Sequence, residues 1–388
     1  MDRSEEIRRY RRALEGLIGV PATEGNHIEI LRNGDRIFEA MFDAVRSAES
    51  TIDFLTFVYW EGAIGEDLAK ALCQRARAGV RVRVLLDALG ASTMDKELLV
   101  RMDESGIAVE RFRMVDKLHF WQTNNRTHRK VLICDEKVGF TGGVGIADEW
   151  RGDARNPDEW RDTHFQLRGP VVDGLRAAFL QNWAETGRPL FDEEVDRFPC
   201  QPDDGSAAIQ VVRGQAQAGW TDVTTLFRAL LLLARRRVRI TTAYFVPDDE
   251  TSQLLCQTAR RGVEVEVLVP GPHIDKRFVQ LASEAQFEPL LEAGVKLHAY
   301  QPTMLHAKIM TVDGLIANVG SANFDARSLT LDDEVNLVVF NAETAAALDA
   351  DFEADRERSE AIALESWDDR SLLQKAKEAA TNIYDRHV

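Results

Sequence analysis

The chain has 388 residues, a hydrophobic fraction of 45 %, a charged fraction of 29 % and a formal net charge of −16. That length suits one bilobal unit or two domains of ordinary size, and the composition is that of a globular protein without disorder-prone tracts. The acidic balance argues against nucleic acid as the main partner and against whole-body attraction to an anionic membrane.

The first residues, MDRSEEIRRYRRALEGLIGV, are charged and lack the apolar core of a signal peptide. The stretch from Asp2 to Leu17 reads as a packing helix. Ile52 to Tyr59 (IDFLTFVY) is a β-rich run. Leu68, Leu72 and Ala76 then fall four apart, which gives one apolar helical face. Gly79 ends that helix in the manner of a C-terminal glycine. Val80, Val82 and Val84 alternate with arginines at strand period. A second helix and strand follow in LLVRMDESGIAVERF from Leu98.

The polar, turn-rich stretch PCQPDDGS from Pro199 marks a boundary, dividing the chain into halves 1–199 and 200–388. Leu226 to Ala234 is the longest apolar run. It is bounded by arginine and far short of the roughly 20 residues a membrane-spanning helix needs, so it reads as a buried helix segment. Thr344 to Arg358 reads as another packing helix. Cys73, Cys134, Cys200 and Cys256 are far apart and form no CxxC pair, so neither a zinc site nor a disulfide framework is expected. A reducing, cytoplasmic setting follows.

The second half repeats the first. Val238 to Phe245 (VRITTAYF) corresponds to Ile52 to Tyr59. CQRARAGVRVRVLL from Cys73 matches CQTARRGVEVEVLV from Cys256, and LLEAGVKLHAY from Leu290 matches the segment from Leu98. Each half is thus a strand–helix–strand–helix–strand unit of an α/β fold. The alternation predicts two lobes related by a pseudo-twofold axis, with a largely parallel sheet flanked by helices.

Both copies end in the same cluster. The first reads His128-Arg-Lys130-x4-Asp135 and then Gly142-Gly143; the second reads His306-Ala-Lys308-x4-Asp313 and then Gly320-Ser321-Ala-Asn323. On a strand, residues two apart share a face, so each histidine should project with its lysine. Asp135 and Asp313 complete the candidate catalytic set, although their odd spacing and turn context predict that they brace a loop or pair with a charge. Gly142, Gly143 and Gly320, with Ser321, would allow close approach of a phosphate, and Asn323 could donate to a phosphate oxygen.

The residue types fit phosphodiester chemistry. Two lysines neutralise the non-bridging oxygens, most strongly in the transition state. One neutral imidazole can attack phosphorus, and the other, protonated, can serve the leaving alkoxide and then the incoming hydroxyl. Histidine's ordinary pKa of about 6.5 suits both roles, and no metal or other cofactor is required. Each imidazole needs its second nitrogen held. Asp162 is assigned to His128 and Glu334 to His306, as the third members of two triads. His27, His119, His273, His298 and His387 read as surface or packing residues, with His164 intermediate.

The duplicated motif resembles that of the phospholipase D superfamily, over a span from about Gly25 to Trp367. Within it, THRKVLICDEKVGFTGG, WRDTHFQLRGPVV, YFVPDDE and MLHAKIMTVDGLIANVGSANFDARS, followed by DDEVN, look most like bacterial cardiolipin synthases. The resemblance implies a βαβαβ-type fold in each half, with mixed sheets flanked by helices, one active site at the interface of the two halves and phosphatidyl transfer through phosphohistidine. It implies His128 as nucleophile and His306 as general acid/base, with Lys130, Lys308 and Asn323 binding phosphate. The first motif departs from the pattern at Gly145, where asparagine is usual, and the N-terminal membrane spans of many relatives are not seen.

The implied substrate is a phospholipid of phosphatidylglycerol type. That requires transient membrane-surface contact, peripheral on the inner face of the cell membrane. The segment Val109 to Lys130, with Arg111, Arg113, Lys117, Arg126, Arg129, Lys130, Phe112, Phe120 and Trp121, offers basic and aromatic residues for this. The same segment could hold a single nucleic-acid strand, so a hydrolase or nuclease is the rival enzymatic reading. A scaffold that binds lipid or nucleic acid without turnover is the rival from another class.

Overall fold

The structure is a computed structural model, and it describes residues 2–114, 125–190, 198–215 and 221–364. The first half runs α1 (Arg3–Ile18), β1 (Thr23–Arg32), α2 (Asn33–Ser47), β2 (Thr51–Thr56), α3 (Ala63–Arg77), β3 (Arg81–Asp87), α4 (Lys96–Glu104), β4 (Ala108–Phe112), β5 (Val131–Cys134), β6 (Val138–Gly142), β7 (Thr163–Arg168) and α5 (Val171–Ala184). The second half runs β8 (Ala207–Gly214), α6 (Asp222–Leu233), β9 (Arg237–Thr241), β10 (Phe245–Val246), α7 (Asp249–Arg260), β11 (Glu264–Pro270), α8 (Arg277–Glu284), α9 (Phe287–Glu292) and β12 (Lys296–Tyr300). It continues through β13 (Ile309–Val312), β14 (Ile316–Gly320), β15 (Phe324–Asp325), α10 (Ala326–Thr330), β16 (Glu334–Phe340), α11 (Ala342–Glu357) and β17 (Ser359–Ile362).

The repeat seen in the sequence reappears as topology. One 15-stranded sheet has the order β17-β12-β11-β9-β13-β14-β16-β8-β1-β7-β6-β5-β2-β3-β4. Read from either end of the repeat, three parallel strands (β4-β3-β2 or β12-β11-β9) are followed by four antiparallel ones. The two halves meet where β1 pairs antiparallel with β8. The sheet is therefore mixed, as expected for two βαβαβ-type lobes, with a smaller parallel share than the helix–strand alternation alone suggested. Residues 131–142 fold as a hairpin rather than a crossover, because Asp135 and Glu136 take left-handed backbone conformations (φ 53° and 61°) in the turn.

Three layers form around this sheet. Val131 and Ile133 of β5 face a core shared by both halves, which includes α5 and Leu348 of α11. Leu132 and Cys134 face the opposite side, where α2, α3 and α4 pack. Burial on both faces explains the uninterrupted apolar run in the sequence. On that opposite side the second half has its own core under α6 and α7, and Tyr10, Leu14 and Ile18 of α1 belong to it. The helix is in the first half by sequence but in the second by packing, so the division at 199/200 does not hold for α1. Gly79 and Gly262 end α3 and α7 with φ of 94° and 90°. Leu226 and Leu230 are fully buried in α6, and among the described residues no helix is long and apolar enough to cross a membrane.

Candidate active site

Each H-x-K segment is an extended lead-in that ends where its strand begins, at Val131 in β5 and Ile309 in β13. It lies at the edge of the sheet where the parallel strands β2 and β9 end. What fixes each segment is the opposite half. Thr127 bridges in parallel to Asp333, and the His128 N–H donates to the Asp333 carbonyl at 2.9 Å. Leu305 bridges in parallel to Arg161, and the His306 N–H donates to the Arg161 carbonyl at 2.7 Å. In a parallel register the next residues also meet. His128 therefore stands beside Glu334, and His306 beside Asp162.

The carboxylate assignments made from sequence are thus exchanged. His128 Nδ1 lies 2.8 Å from Glu334 Oε1, and His306 Nδ1 lies 2.8 Å from Asp162 Oδ2. A carboxylate accepts, so each Nδ1 carries the proton and each Nε2 is left to face the centre. The backbone ladders decide the pairing, and they cross between halves.

Both carboxylates are themselves held. Asp162 accepts from the Trp150 indole N–H at 2.9 Å and from the Thr163 N–H at 2.7 Å. Glu334 accepts from the Ser321 hydroxyl and is also bonded by Ser328. Trp150 and Ser328 occupy equivalent positions, each twenty-two residues after its histidine. Arg129, fully buried, donates to the carbonyls of Glu334 (3.1 Å), Gly214 (2.8 Å) and Ala178 (2.7 Å), fixing the strand that carries Glu334.

Lys130 and Lys308 fold back onto the carbonyls of their own histidines, at 2.8 Å for Lys130 Nζ. Burial drives the electrostatics here. It lowers Lys308 to about 8, against the pull of Asp162 and Glu334. In the tightly linked pair of Lys130 and Glu334, burial pushes the lysine down and the carboxyl up. Burial, reinforced by Lys308, takes His306 to about 4 despite its bond to Asp162. Burial and the two lysines hold His128 well below its ordinary value. Burial would raise Asp162, but the His306 bond and Lys308 outweigh it and keep it below the usual carboxylate range. Burial thus holds both imidazoles and both lysines below their ordinary values.

Other assignments change with the geometry. Asp135 accepts from the N–H groups of Glu49 (2.8 Å), Ser50 (2.7 Å) and Thr51 (2.9 Å). Asp313 accepts from those of Arg235 (3.1 Å), Arg236 (2.7 Å) and Arg237 (2.9 Å), and from the Tyr10 hydroxyl. Both carboxylates brace loops through backbone N–H groups, and none of these bonds reaches His128, Lys130, His306 or Lys308.

The small pairs make room for the neighbouring strand. The Gly143 N–H is committed to the Thr163 carbonyl and the Ser321 N–H to that of Val335. A Cβ on Gly143 would lie 2.3 Å from Asp162 Oδ1, and one on Gly142 would lie 2.7 Å from His164 Nδ1. A Cβ on Gly320 would meet the Val335 carbonyl at 2.3 Å. These positions are small so that the carboxylate-bearing strand can approach. Asn323 is buried, and its Oδ1 has no hydrogen-bond partner. At the equivalent position, a Cβ on Gly145 would meet Val58 Cβ at 2.7 Å and the Trp150 ring at 3.4 Å. The space of an asparagine is filled.

Sequence reasoning missed the aromatic surround. Trp150 and Trp160 lie 5.1 and 5.4 Å from the His306 ring, and Phe57 lies 5.3 Å edge-on to that of His128. The repeat alignment, which sets Trp150 opposite Ser328, was the available signal. His164 is buried beneath Gly142, with Nδ1 unpartnered and its pKa lowered by burial to about 4. His27, His273 and His298 are at most half-buried and lie in none of these contacts.

Among the described residues of the expected basic docking segment, several basic side chains are paired or buried. Arg126 pairs with Asp87, Arg113 pairs with Glu185, and Arg129 and Lys130 are buried in the site. Lys117, His119, Phe120, Trp121 and His387 lie outside the described residues.

Comparison with known proteins agrees with the repeat. A family model described as "Cardiolipin synthase, PLD-like domain" matches residues 41–149 and 227–356. Cardiolipin synthase 1 of Bacillus cereus is 33 % identical over 369 residues, covering 93 % of this chain and 72 % of that protein. A cardiolipin synthase of Geobacillus kaustophilus is 33 % identical over 366 residues, covering 94 % and 72 %. Among solved structures, the phosphatidylserine synthase of Haemophilus influenzae superposes with a TM-score of 0.74 at 14 % identity, over 97 % of both chains. The polyphosphate kinase of Porphyromonas gingivalis does so with a TM-score of 0.59 at 14 % identity, over 94 % of this chain and 53 % of that one. These two show a shared fold. The family model and the two relatives show that the chain belongs to the cardiolipin synthase branch of the phospholipase D-like proteins.

Proposed function

We propose that the protein is a phosphatidyltransferase of cardiolipin synthase type, working through a phosphohistidine on His128. The observation that supports this most is the pair of crossed His–carboxylate contacts, His128–Glu334 and His306–Asp162, with Lys130 and Lys308 between them.

Glu334 fixes the Nδ1–H tautomer of His128, so Nε2 presents its lone pair to phosphorus. Attack forms the N–P bond and breaks the bond from phosphorus to the leaving oxygen of glycerol. His306 gives its Nε2 proton to that oxygen. Lys130, Lys308 and Asn323 hold the non-bridging oxygens. The phosphate anion offsets the field of the two lysines, which raises His306 toward the protonated state its first step needs. In the second step the hydroxyl of another phosphatidylglycerol attacks phosphorus and passes its proton to His306, and the N–P bond breaks to restore His128.

The substrate lies in a bilayer, so this reading includes peripheral contact with the inner face of the cell membrane. Exposed Leu89, Met114 and Phe278 suit such contact. They follow the ends of β3, β4 and β11, at the edge of the sheet that carries the site.

The test is incubation of purified protein with phosphatidylglycerol vesicles in EDTA, with products read by mass spectrometry. Cardiolipin and glycerol, lost in His128→Ala and His306→Ala, are expected. Phosphatidic acid alone would make the protein a hydrolase. No lipid product from the folded wild type would overturn the lipid reading in favour of a nuclease or a binding scaffold.

A further inference from the structure

The catalytic centre is nearly symmetric, but transfer is not: one side of phosphorus carries the nucleophile and the other carries the alcohol. The two halves differ beside His306. Thr56 Oγ1 donates to the Val58 carbonyl at 3.0 Å, and Thr242 Oγ1 donates to that of Tyr244 at 2.8 Å, so Tyr244 stands where the first half has Val58. Val58 is buried against Gly145. The ring of Tyr244 instead lies edge-on to His306 at 6.5 Å, and its hydroxyl donates to Asp275 at 2.8 Å. The Lys276 ammonium lies 5.1 Å from the centre of the same ring.

Asp275 and Lys276 come from a segment without a counterpart in the first half. Gly271 to Gln286 carries α8, whereas Ala88 to Asp95 holds no helix. Both side chains are exposed, and Lys276, at the N-terminus of α8, makes no side-chain cap. Their charges reach the centre. Asp275 favours the protonated form of His306, and Lys276 disfavours that of His128. Trp150 and Trp160, the other rings around His306, are buried. Among the described residues, Tyr244, Asp275 and Lys276 form a polar corner by His306 that meets solvent.

We infer that Tyr244, Asp275 and Lys276 form the acceptor subsite, taking the polyol headgroup of a second anionic phospholipid. This rests on the phosphatidyl-transfer reading. In-line displacement puts the alcohol opposite His128, on the side of His306. There the Asp275 carboxylate accepts from the free headgroup hydroxyls, and the Lys276 ammonium meets the acceptor's own phosphate. The reacting hydroxyl forms its bond to phosphorus as the bond to His128 Nε2 breaks, and its proton passes to His306 Nε2. Holding the lipid alcohol there also disfavours water, so these residues set the balance of transfer over hydrolysis.

The test compares full-length wild type with Asp275→Asn, Lys276→Gln and Tyr244→Phe on phosphatidylglycerol vesicles, with and without ethanol. The ratio of cardiolipin to phosphatidic acid should fall about tenfold in Asp275→Asn and Lys276→Gln, the size of one lost charged hydrogen bond. The ratio of phosphatidylethanol to phosphatidic acid should stay as in wild type, because ethanol has no polyol to recognise. A cardiolipin ratio within twofold of wild type, or an equal loss with ethanol, overturns the subsite and leaves the transfer reading intact. A wild type that consumes no phosphatidylglycerol removes both.

Discussion

His128 and Glu334, from opposite halves of the repeat, lie 2.8 Å apart through Nδ1 and Oε1. His306 and Asp162 repeat the relationship in the other direction at the same distance. Neither half therefore owns a complete histidine–carboxylate pair. The bridges Thr127–Asp333 and Leu305–Arg161 supply the register that makes the exchange. Two copies of one unit can form a single site because each copy orients the other's imidazole.

The crossing separates the roles of the carboxylates. Glu334→Gln should lose tautomer control of His128 and cost roughly 10²- to 10⁴-fold in phosphatidylglycerol turnover. Asp162→Asn should cost a similar factor through His306. With a nitrophenyl ester of phosphatidic acid, whose leaving group needs no proton, the first release of nitrophenol should persist in Asp162→Asn and vanish in Glu334→Gln. A burst lost in Asp162→Asn and kept in Glu334→Gln would reverse the assignment.

Lys308 sets an alkaline limit. Burial lowers it to about 8, so its charge is lost as pH rises through that value rather than near 10. The pH profile of kcat/KM, which reports the free enzyme, should fall above about pH 8. Lys308→Arg, at lower overall activity, should move the fall upward because the guanidinium stays charged. An unmoved limb would assign it to another group.

Acid sensitivity should come from the buried imidazoles, His128 among them. His164 and His306 are lowered to about 4 in the folded protein, against an unfolded value of about 6.5. Between those values the unfolded chain binds more protons, so stability falls as pH drops from 6.5 toward 4. His164→Asn places there the residue type of its counterpart Asn336, and it should reduce the acid-induced loss in thermal midpoint. Identical pH profiles for the two proteins would show that His164 contributes nothing.

Much of this was legible because the repeat is local and periodic. The helix–strand pairs from Cys73 and Cys256, and the two H-x-K segments, stand in the sequence as they stand in space. Partner choice was not legible. Asp162 and Glu334 follow their own histidines at similar distances, and the cross-half bridges that decide the matter leave no local mark. The small pairs were legible as small, but a glycine that admits a phosphate and one that admits Asp162 look alike in sequence. The turn at Asp135 was legible, but the antiparallel direction of the strands it joins was not, because both are buried on both faces and show no alternation.

Gly145 tests the asymmetry directly. Gly145→Asn restores the residue of the second motif, but its Cβ would meet Val58 Cβ at 2.7 Å. The substitution should destabilise by about 1–3 kcal/mol through overpacking. Val58→Ala in the same chain should recover part of that loss. Urea unfolding of both variants measures it, and a neutral Gly145→Asn would mean that the Val58 side chain yields freely.

The central claim is a covalent intermediate on His128. Wild-type protein mixed rapidly with phosphatidylglycerol labelled with ³²P, quenched in alkali and mapped by peptide, gives the most direct reading. Label should appear on the peptide that carries His128 and be absent in His128→Ala. Label on the His306 peptide, or turnover without any labelled protein, would contradict it.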